Sequence, residues 1–475
     1  MKKLMLKLSL LYSLCFFVIR VGHGQGYEIE VKIKGTQEQE LLLGYYFSGK
    51  TYAKDTAYYL GKGGDFLFSG KEPLDKGMYF LAQNGNLLFD LVIGEDQLFT
   101  LKTGSEAFID SIEVEGDMEN QLFFDNMRFN MQRNQEAAPF IAVLRDSTST
   151  EEAKTEAQNK FEVINDKVEA YVQGIIDAYS NSIMATILGA NKRSGIPDEE
   201  YINNQEARFS YHRDHFWDHI DLGNPVLLRL STPIYKQKVD HYLDNLIRPV
   251  PDDIKKAVDQ LIEVAKKDEE TYQYLVWHLT IKYQTSKIMG FDEVYVHLVD
   301  KYFLTGKMDF WANDQLKSNL KEKADQLRNS LIGMVAPNLV LQGLNRQPKS
   351  LYDLTNKYSV IYFYDPDCGH CKKETPILKA FIDSTSFDVG VYTVSADTSM
   401  TKMNNYIEEM ALQDWTNTNG TRTYEINYQQ VYDAFTTPTI YLLNEKKEII
   451  AKKIKASQLE ELLTNYEKME KKESN

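Results

Sequence analysis

Two cysteines stand three positions apart in the segment DPDCGHCKKETP, where Cys368 and Cys371 enclose a glycine and a histidine. The preceding residues, YSVIYFY, are typical of a buried strand, and the following ones are typical of a helix that begins near Cys368. A sulfur at such a helix start faces unpaired backbone N–H groups and the positive end of the helix dipole, and both lower the pKa of a thiol. Because the thiolate is the form that attacks disulfides, this spacing predicts thiol–disulfide exchange.

The two sulfurs are predicted to have different roles. Cys371 lies about one helical turn after Cys368 and should be more buried, so we expect Cys368 to attack and Cys371 to resolve the mixed disulfide. His370 can place a positive charge beside the thiolate, which would stabilise the reduced pair and make it more oxidising. The predicted redox-active disulfide is Cys368–Cys371, and this chemistry requires no cofactor.

Two other uses of the cysteine pair compete with redox chemistry. A zinc site needs four ligands, and the only other cysteine is Cys15, near the N-terminus. An inert structural disulfide would close so short a loop that chain entropy would stabilise it little. Both alternatives are disfavoured, and no metal site is predicted here.

The N-terminus has the features of a signal peptide, predicted to span residues 1–24. Three lysines precede an apolar run, and the small residues at 22 and 24 suit cleavage before Gln25. A retained membrane anchor is an alternative, but the run is shorter than the about 20 apolar residues that a span needs. A lipid anchor at Cys15 is another, but the large Leu14 precedes it. We expect export to the periplasm or cell envelope, without stable membrane insertion after cleavage.

Charge and cysteine content narrow the classes of partner. The chain has 475 residues and a net charge of −15, and loss of the four basic residues of the signal segment takes the net charge to −19. Such an acidic chain is not expected to bind nucleic acid or anionic lipid through its overall field. The two cysteines that remain are too few for a disulfide framework in an exported protein, which favours a working pair.

Hydrophobic patterning divides the rest of the chain into three predicted domains. Residues 25–125 alternate with a period of two, as in YEIEVKIKG, and turn signals such as Asn84-Gly85 separate the runs, which predicts an antiparallel β-sandwich or small barrel. Residues 126–330 have helical spacing, as in DDIKKAVDQLIEVAKK, and predict an α-helical domain. Residues 331–475 alternate strands with helices, which is typical of an α/β fold.

The segment from Gly333 onward resembles the thioredoxin superfamily, and within it the exported TlpA/ResA-like thiol–disulfide oxidoreductases. GMVAPNLVL is similar to their opening segment, and CGHC resembles the thioredoxin-type active site. Pro376 matches the proline that kinks the active-site helix, and Thr437-Pro438 matches the cis-proline turn that receives the substrate backbone; an ordinary trans loop proline is the alternative. The resemblance implies a thioredoxin-like fold, protein thiols and disulfides as substrates, and an upstream redox partner.

The proton chemistry of the pair depends on a further match. Glu374 matches the acidic residue that ResA-like members carry three positions after the second cysteine, which implies a catalytic role in proton transfer; a solvated helix residue is the alternative. Thioredoxin's buried aspartate falls on Tyr362, so Glu374 is the carboxylate left for this task. The separation of Cys371 from Pro438 exceeds that of plain thioredoxin, and SMTKMNNYIEEMALQDW is the candidate insert.

The two upstream regions resemble poorly characterised domains that precede thioredoxin domains in many Bacteroidetes envelope proteins. The matching pattern is Asp55-Thr56, followed by GDFLFSG and then by Gly77-Met-Tyr79. This resemblance implies no particular chemistry.

Two further groups of residues have chemical potential. In YHRDHFWDHIDL, His212, His215 and His219 would share one face of a helix, and with Asp218 they could bind a metal, although helix bracing among the apolar neighbours is favoured. Peroxiredoxins share the thioredoxin fold but need a threonine three residues before the attacking cysteine. Asp365 occupies that place, so peroxidase activity is not predicted.

The sequence therefore predicts an exported enzyme that exchanges disulfides with envelope proteins. The alternative is an envelope binding or interaction protein, whose N-terminal domains bind a ligand or partner and whose redox domain is subsidiary. The direction of electron flow does not follow from the sequence.

Overall fold

The computed structural model describes residues 26–61, 64–192, 204–424 and 427–473. The predicted signal peptide lies outside these ranges. Within them, no helix combines the length and the apolar character that a membrane span requires. The chain forms two compact units: the first holds the described residues up to 192 with His215–Ile220 and Pro225–Gln237, and the second holds residues 204–214, Asp221–Asn224 and the chain from Lys238 onward.

The strands of the first unit form two four-stranded sheets. They are β1 (Tyr27–Lys34), β2 (Glu40–Phe47), β3 (Lys50–Tyr58), β4 (Asp65–Gly70), β5 (Gly77–Gln83), β6 (Asn86–Ile93), β7 (Leu98–Gly104) and β8 (Glu113–Glu115). The strand orders are β4-β1-β7-β8 and β3-β2-β5-β6. Side chains of β1 alternate between buried and more exposed positions, as its sequence predicts.

One strand pair departs from the antiparallel prediction. Strands β1 and β7 pair in parallel, with Ile29 opposite Phe99. This arrangement is open to them because β2 to β6 lie between them in the chain, whereas a tight hairpin joins only antiparallel strands. The turn predicted at Asn84-Gly85 is confirmed: both residues have positive φ, 49° and 79°, and they connect β5 to β6 as a two-residue hairpin.

Helices follow the first strands, as the sequence predicts. They are α1 (Met118–Arg145), α2 (Glu151–Ala178), α3 (Ile183–Asn191), α4 (Gln205–Asp214), α5 (Ile234–His241), α6 (Pro251–Ala265), α7 (Glu269–Gln284), α8 (Asp292–Leu298) and α9 (Asp314–Arg328), with a 3-10 turn at Pro225–Leu228 and π-helical turns at Tyr242–Leu246 and Val299–Phe303. Thr150 caps α2, since its side chain accepts a hydrogen bond from the amide of Ala153. Pro251 occupies the first turn of α6, where a proline costs no helical hydrogen bond.

The C-terminal part of the second unit has a thioredoxin-like fold built on a seven-stranded mixed sheet. Its strands are β9 (Val340–Gly343), β10 (Pro348–Ser350), β11 (Tyr358–Tyr364), β12 (Val389–Ser395), β13 (Thr416–Thr423), β14 (Thr439–Leu443) and β15 (Ile449–Lys452), and its helices are α10 (Gly369–Ser384), α11 (Met400–Glu409), α12 (Tyr428–Val431) and α13 (Leu459–Glu473). The strand order is β10-β9-β13-β12-β11-β14-β15. The α/β prediction is confirmed.

Strand β11 lies at the centre of the core, and each of its residues is buried. Its tyrosines and Val360 face one apolar cluster, which includes Cys371, whereas Ile361 and Phe363 face a second cluster on the other side of the sheet. A strand covered on both faces needs apolar side chains at every position, which explains the unbroken run YSVIYFY.

Strand β13 is a part of the sheet that the sequence does not predict. Its sequence, TNTNGTRT, is polar, yet Asn417, Thr418 and Asn419 are buried. Their polar atoms are bonded: the side-chain amide of Asn417 donates to the carbonyl oxygen of Leu412 at 2.7 Å, and the hydroxyl of Thr418 donates to the backbone carbonyl oxygen of Thr393 at 2.6 Å. The candidate insert contains α11, and β13 follows it as an additional strand of the sheet.

Candidate active site

Cys368 is the N-cap residue of α10. Its backbone is extended, and its sulfur accepts a hydrogen bond from the amide of Cys371 at 3.4 Å. Asp365 holds the turn that leads into the helix, because its carboxylate accepts from the amide of Asp367 at 2.8 Å and its carbonyl oxygen accepts from the amide of Cys368 at 3.1 Å. The first sulfur thus lies among the unpaired N–H groups of the helix start.

The environment of Cys368 favours its thiolate. Partial burial acts to raise the pKa of this thiol, but hydrogen bonds from Cys371 and from the backbone amide of His370 outweigh burial and hold the pKa below its usual value. The side chain is only half-buried, so solvent reaches it. A lowered pKa and partial exposure are the properties of an attacking sulfur.

Cys371 has the opposite environment. Its side chain is fully buried in the apolar cluster beside β11. Burial raises the pKa of the Cys371 thiol to about 12, because the thiolate is poorly solvated there. Both cysteines are free thiols in this structure. The pair therefore combines a half-buried sulfur of lowered pKa with a buried sulfur of raised pKa, and the roles of the two in attack and resolution stay predictions.

The turn at Thr437-Pro438 lies beside the cysteine pair. The peptide bond between these two residues is cis, as the resemblance implies, and both side chains are half-buried. The Cys368 thiol lies 3.4 Å from the carbonyl oxygen of Thr437, to which it can donate a hydrogen bond. Antiparallel pairing of β14 with β11 places the start of one strand beside the end of the other and so brings the turn to the helix start.

Glu374 lies in the first half of α10 and is half-buried. Its Oε1 accepts a hydrogen bond from the backbone amide of Ala456 at 2.5 Å, at the start of the 3-10 turn Ala456–Gln458. The side chains of Glu374 and Cys371, both among the described residues, do not form a hydrogen bond with each other. Its predicted role in proton transfer remains a prediction, and the contact with Ala456 adds a structural role.

His370 and Pro376 lie on the same helix, and both are exposed. His370 occupies the first turn, next to the Cys368 sulfur in sequence. Pro376 lies inside α10, where its ring removes a backbone donor from the helix. The redox-tuning role of His370 and the structural role of Pro376 remain predictions.

Comparison with known families places this site in context. Residues 332–452 match the model of the AhpC/TSA family. The C-terminal domain belongs to this family. Residues 27–123 and 146–326 match two further families, DUF4369 and DUF5106, each described as a domain of unknown function. No curated relative matches the chain.

Several solved structures are similar to part of the chain. A domain of a possible thiol-disulfide isomerase from Cytophaga hutchinsonii is 30% identical, and the match covers 30% of this chain and 97% of that one, with a TM-score of 0.28. A thioredoxin-like protein from Bacteroides caccae is 20% identical, with coverage of 57% and 97% and a TM-score of 0.45. StoA from Bacillus subtilis is 22% identical, with coverage of 27% and 96% and a TM-score of 0.23.

The AhpC/TSA domain also contains a buried chain of hydroxyl groups that the sequence analysis missed. The hydroxyl of Tyr362 lies 2.7 Å from that of Thr375, which lies 2.6 Å from that of Tyr406. Thr375 follows Cys371 by four positions, and that spacing placed it on the same helix face. No sequence pattern indicated Tyr406, because it lies on a different helix, α11, 31 positions after Thr375.

Three carboxylates of the AhpC/TSA domain lie close together. Those of Asp365, Asp367 and Asp397 have oxygens within 4.8 Å of one another. The amine of Lys402 donates to Asp367 at 2.5 Å and to Asp397 at 3.2 Å. The lysine offsets part of the negative charge, so this group is explained as an ion-pair network.

The histidine-rich segment YHRDHFWDHIDL does not form one helix. Helix α4 ends at Asp214, after His212, and the chain continues in turns through His215. The predicted shared helix face is therefore wrong, because the helical spacing stops inside the motif. His215 instead pairs with Asp218, its Nδ1 lying 2.7 Å from the carboxylate.

Proposed function

We propose that this chain is a thiol–disulfide oxidoreductase that exchanges disulfides with proteins of the cell envelope through Cys368 and Cys371. The observation that carries the proposal is the contrast between the two sulfurs. Cys368 is half-buried at a helix start with a lowered pKa, and Cys371 is buried with a raised pKa. That contrast suits a reaction in which one sulfur attacks and the other waits.

The proposed reaction has two steps. The Cys368 thiolate attacks one sulfur of a partner disulfide, a mixed disulfide forms, and the other partner sulfur leaves as a thiolate. Cys371 then loses its proton and attacks the Cys368 sulfur, so that the Cys368–Cys371 bond forms and the second partner sulfur leaves. The partner disulfide is reduced to two thiols, and the cysteine pair is oxidised by the same two electrons. The reverse sequence oxidises a partner.

Other residues are proposed to assist the two sulfurs. The Thr437-Pro438 turn receives the backbone of the partner, since it lies beside the attacking sulfur. Glu374 takes the proton from Cys371 and returns it to the departing partner thiolate. A protonated His370 stabilises the Cys368 thiolate and so sets the redox poise.

The remaining parts of the chain are proposed to bring the AhpC/TSA domain to its partners. The N-terminal segment directs export to the periplasm or envelope, and the upstream domains hold the partner protein or fix the chain in an assembly. A separate redox protein returns the cysteine pair to its working state, because each turnover leaves the pair in the opposite oxidation state.

A peroxidase function is not favoured for this member of the AhpC/TSA family. Asp365 stands where a peroxidase of this fold needs a threonine, and its carboxylate is held by the amide of Asp367. A negative charge there would also oppose a peroxide anion near the attacking sulfur.

Reduction of insulin disulfides by a small dithiol tests the proposed activity. The wild-type protein should accelerate the reaction, and Cys368→Ser should abolish the acceleration because the attacking sulfur is gone. Consumption of hydrogen peroxide serves as the comparison, and it should remain at the rate of free thiols. A wild-type protein that consumes peroxide rapidly and leaves insulin intact would overturn the proposal.

A further inference from the structure

The resolving step requires both a base for the Cys371 proton, the proposed role of Glu374, and stabilisation of the charge left on the sulfur. Cys371 must become a thiolate inside a buried apolar cluster, where an unsolvated charge is costly. The carboxylate of Glu374 is bonded to the amide of Ala456. Burial raises the pKa of Cys371 and outweighs hydrogen bonds from the backbone of Asp365 and the side chain of Thr437, which act to lower it, so a further polar group near the sulfur would assist resolution.

The hydroxyl chain is buried beside that cluster. Tyr362 and Thr375 are fully buried, and Tyr406 is 2% exposed. Tyr364 stacks on both phenol rings, with centroids 5.6 Å from Tyr362 and 4.8 Å from Tyr406. This packing fixes the two phenols, so their hydroxyls are preorganised rather than mobile.

Counting protons shows that the hydroxyl chain has one to spare. Its three hydroxyls carry three protons, and the two hydrogen bonds between them use two. Among the described residues, no other group forms a hydrogen bond within 3.5 Å of either phenol, and beyond that distance the two phenols interact with each other. A buried O–H without an acceptor is costly, so the third proton is poised for an acceptor that appears later.

The Cys371 sulfur lies on the same side of the sheet as the hydroxyl chain. Thr375 lies one turn after Cys371 on the same face of α10, and Cys371, Tyr362 and Tyr406 belong to one packed cluster. Burial raises the pKa of both phenols, the hydrogen bond with Thr375 lowers it in part, and charge on Cys371 raises it again; the pKa of Tyr406 reaches about 12. The phenols therefore stay protonated donors at physiological pH.

We propose that the hydroxyl chain of Tyr362, Thr375 and Tyr406 turns its spare proton toward the Cys371 sulfur and stabilises the thiolate during resolution. The inference rests on the proposed function and adds positioning residues to it. The three hydroxyl groups keep their own protons throughout. The proton lost by Cys371 passes by way of Glu374 to the departing partner thiolate, and the hydroxyls only reorient as the Cys368–Cys371 bond forms.

Reaction with an aromatic disulfide that releases a coloured thiolate separates the two steps. The first equivalent of colour appears when Cys368 attacks, at a rate that depends on reagent concentration. The second appears when Cys371 resolves, at a rate that does not. Thr375→Val should slow the second phase about tenfold, the loss expected for a hydrogen bond to a charged group, and leave the first within about twofold.

Matched variants separate this role from a structural one. Thr375→Ser keeps the hydroxyl and should restore the wild-type second phase, whereas Tyr362→Phe and Tyr406→Phe should each slow it and move its pH profile upward. Tyr392→Phe removes a buried hydroxyl on the other face of the sheet and should change neither phase. Circular dichroism of each variant checks its fold.

The outcomes distinguish this inference from the function on which it rests. A wild-type protein without a first phase would overturn the proposed function. A normal first phase, with a second phase unchanged in the Thr375→Val, Tyr362→Phe and Tyr406→Phe variants, would overturn the hydroxyl chain alone. Slowing of both phases together would also overturn it, because it would show a general loss of structure.

Discussion

The carbonyl oxygen of Thr437 lies 3.4 Å from the Cys368 sulfur, although 69 positions separate the two residues in the chain. The sheet brings them together. Strand β11 ends just before Cys368, β14 begins just after Pro438, and the two strands pair antiparallel with Phe363 opposite Thr439. A partner peptide that pairs with the turn would therefore have its own sulfur close to the attacking one.

The first prediction concerns the unequal reactivity of the two sulfurs. Near neutral pH, an alkylating reagent should modify Cys368 at least about tenfold faster than Cys371, because only Cys368 combines exposure with a lowered pKa. Mass spectrometry of peptides from timed quenches measures both rates. The Cys371→Ser variant is the control and should keep the rapid reaction. Equal rates at the two cysteines would contradict the assignment.

The second prediction separates two roles of Glu374. In Glu374→Gln the amide oxygen can still accept from Ala456, so thermal stability should be kept, while resolution by Cys371 should slow about tenfold or more because the base is lost. Glu374→Ala should slow resolution to a similar extent, and it should also lower the free energy of unfolding by about 1 kcal/mol. Stopped-flow kinetics and thermal unfolding of the two Glu374 variants measure these effects. Normal resolution in Glu374→Gln would leave only the structural role.

The third prediction concerns Phe435, an apolar side chain close to the active site. It is 55% exposed and stands two residues before Thr437, so it can contact a docked partner. Phe435→Ala should raise KM for a protein disulfide about tenfold, through lost apolar burial, and leave the reaction with a small aromatic disulfide unchanged. Met469→Ala, which removes another exposed apolar side chain from α13, is the control. An equal loss toward both substrates would argue against docking.

The fourth prediction concerns acid stability of the second unit. Burial acts to raise the pKa of Asp259, but hydrogen bonds from His297, Lys301 and Tyr302 outweigh it and lower the pKa to about 2. A lowered pKa contributes stability that is present above the ordinary value of 3.8 and is lost as the pH falls toward about 2.

The variant Asp259→Asn should therefore unfold more easily than the wild type at neutral pH, by about 2 kcal/mol. The difference should shrink as the pH is lowered, because the wild-type carboxyl is then protonated as well. Urea unfolding followed at a series of pH values measures it. A difference that stays constant from neutral to acid pH would show that the variant acts through something other than charge.

Local patterns allowed much of the AhpC/TSA domain to be predicted from the sequence. The buried run before Cys368 and the helix after it follow from short-range periodicity, and both are confirmed. The environments of the two sulfurs follow from their places on that helix. These features depend on neighbours in the chain, which a single sequence displays.

Features that depend on distant parts of the chain were missed. Strand β13 is polar because its buried side chains bond to the adjacent strand and loop, so no hydrophobic pattern marks it. The parallel pairing of β1 with β7 joins strands far apart in the sequence. The hydroxyl chain needs Tyr406 from α11 to meet α10, a contact that no spacing within one helix reveals.

Trapping of a mixed disulfide tests the central claim most directly. The Cys371→Ser variant, produced with its N-terminal segment and recovered from the envelope, should carry partner proteins linked through Cys368. A reducing agent should release them, and mass spectrometry should locate the bond at that sulfur. The double variant Cys368→Ser/Cys371→Ser is the control and should carry none. Linkage of the same amount in both variants, or of no protein in either, would contradict thiol–disulfide exchange by this cysteine pair.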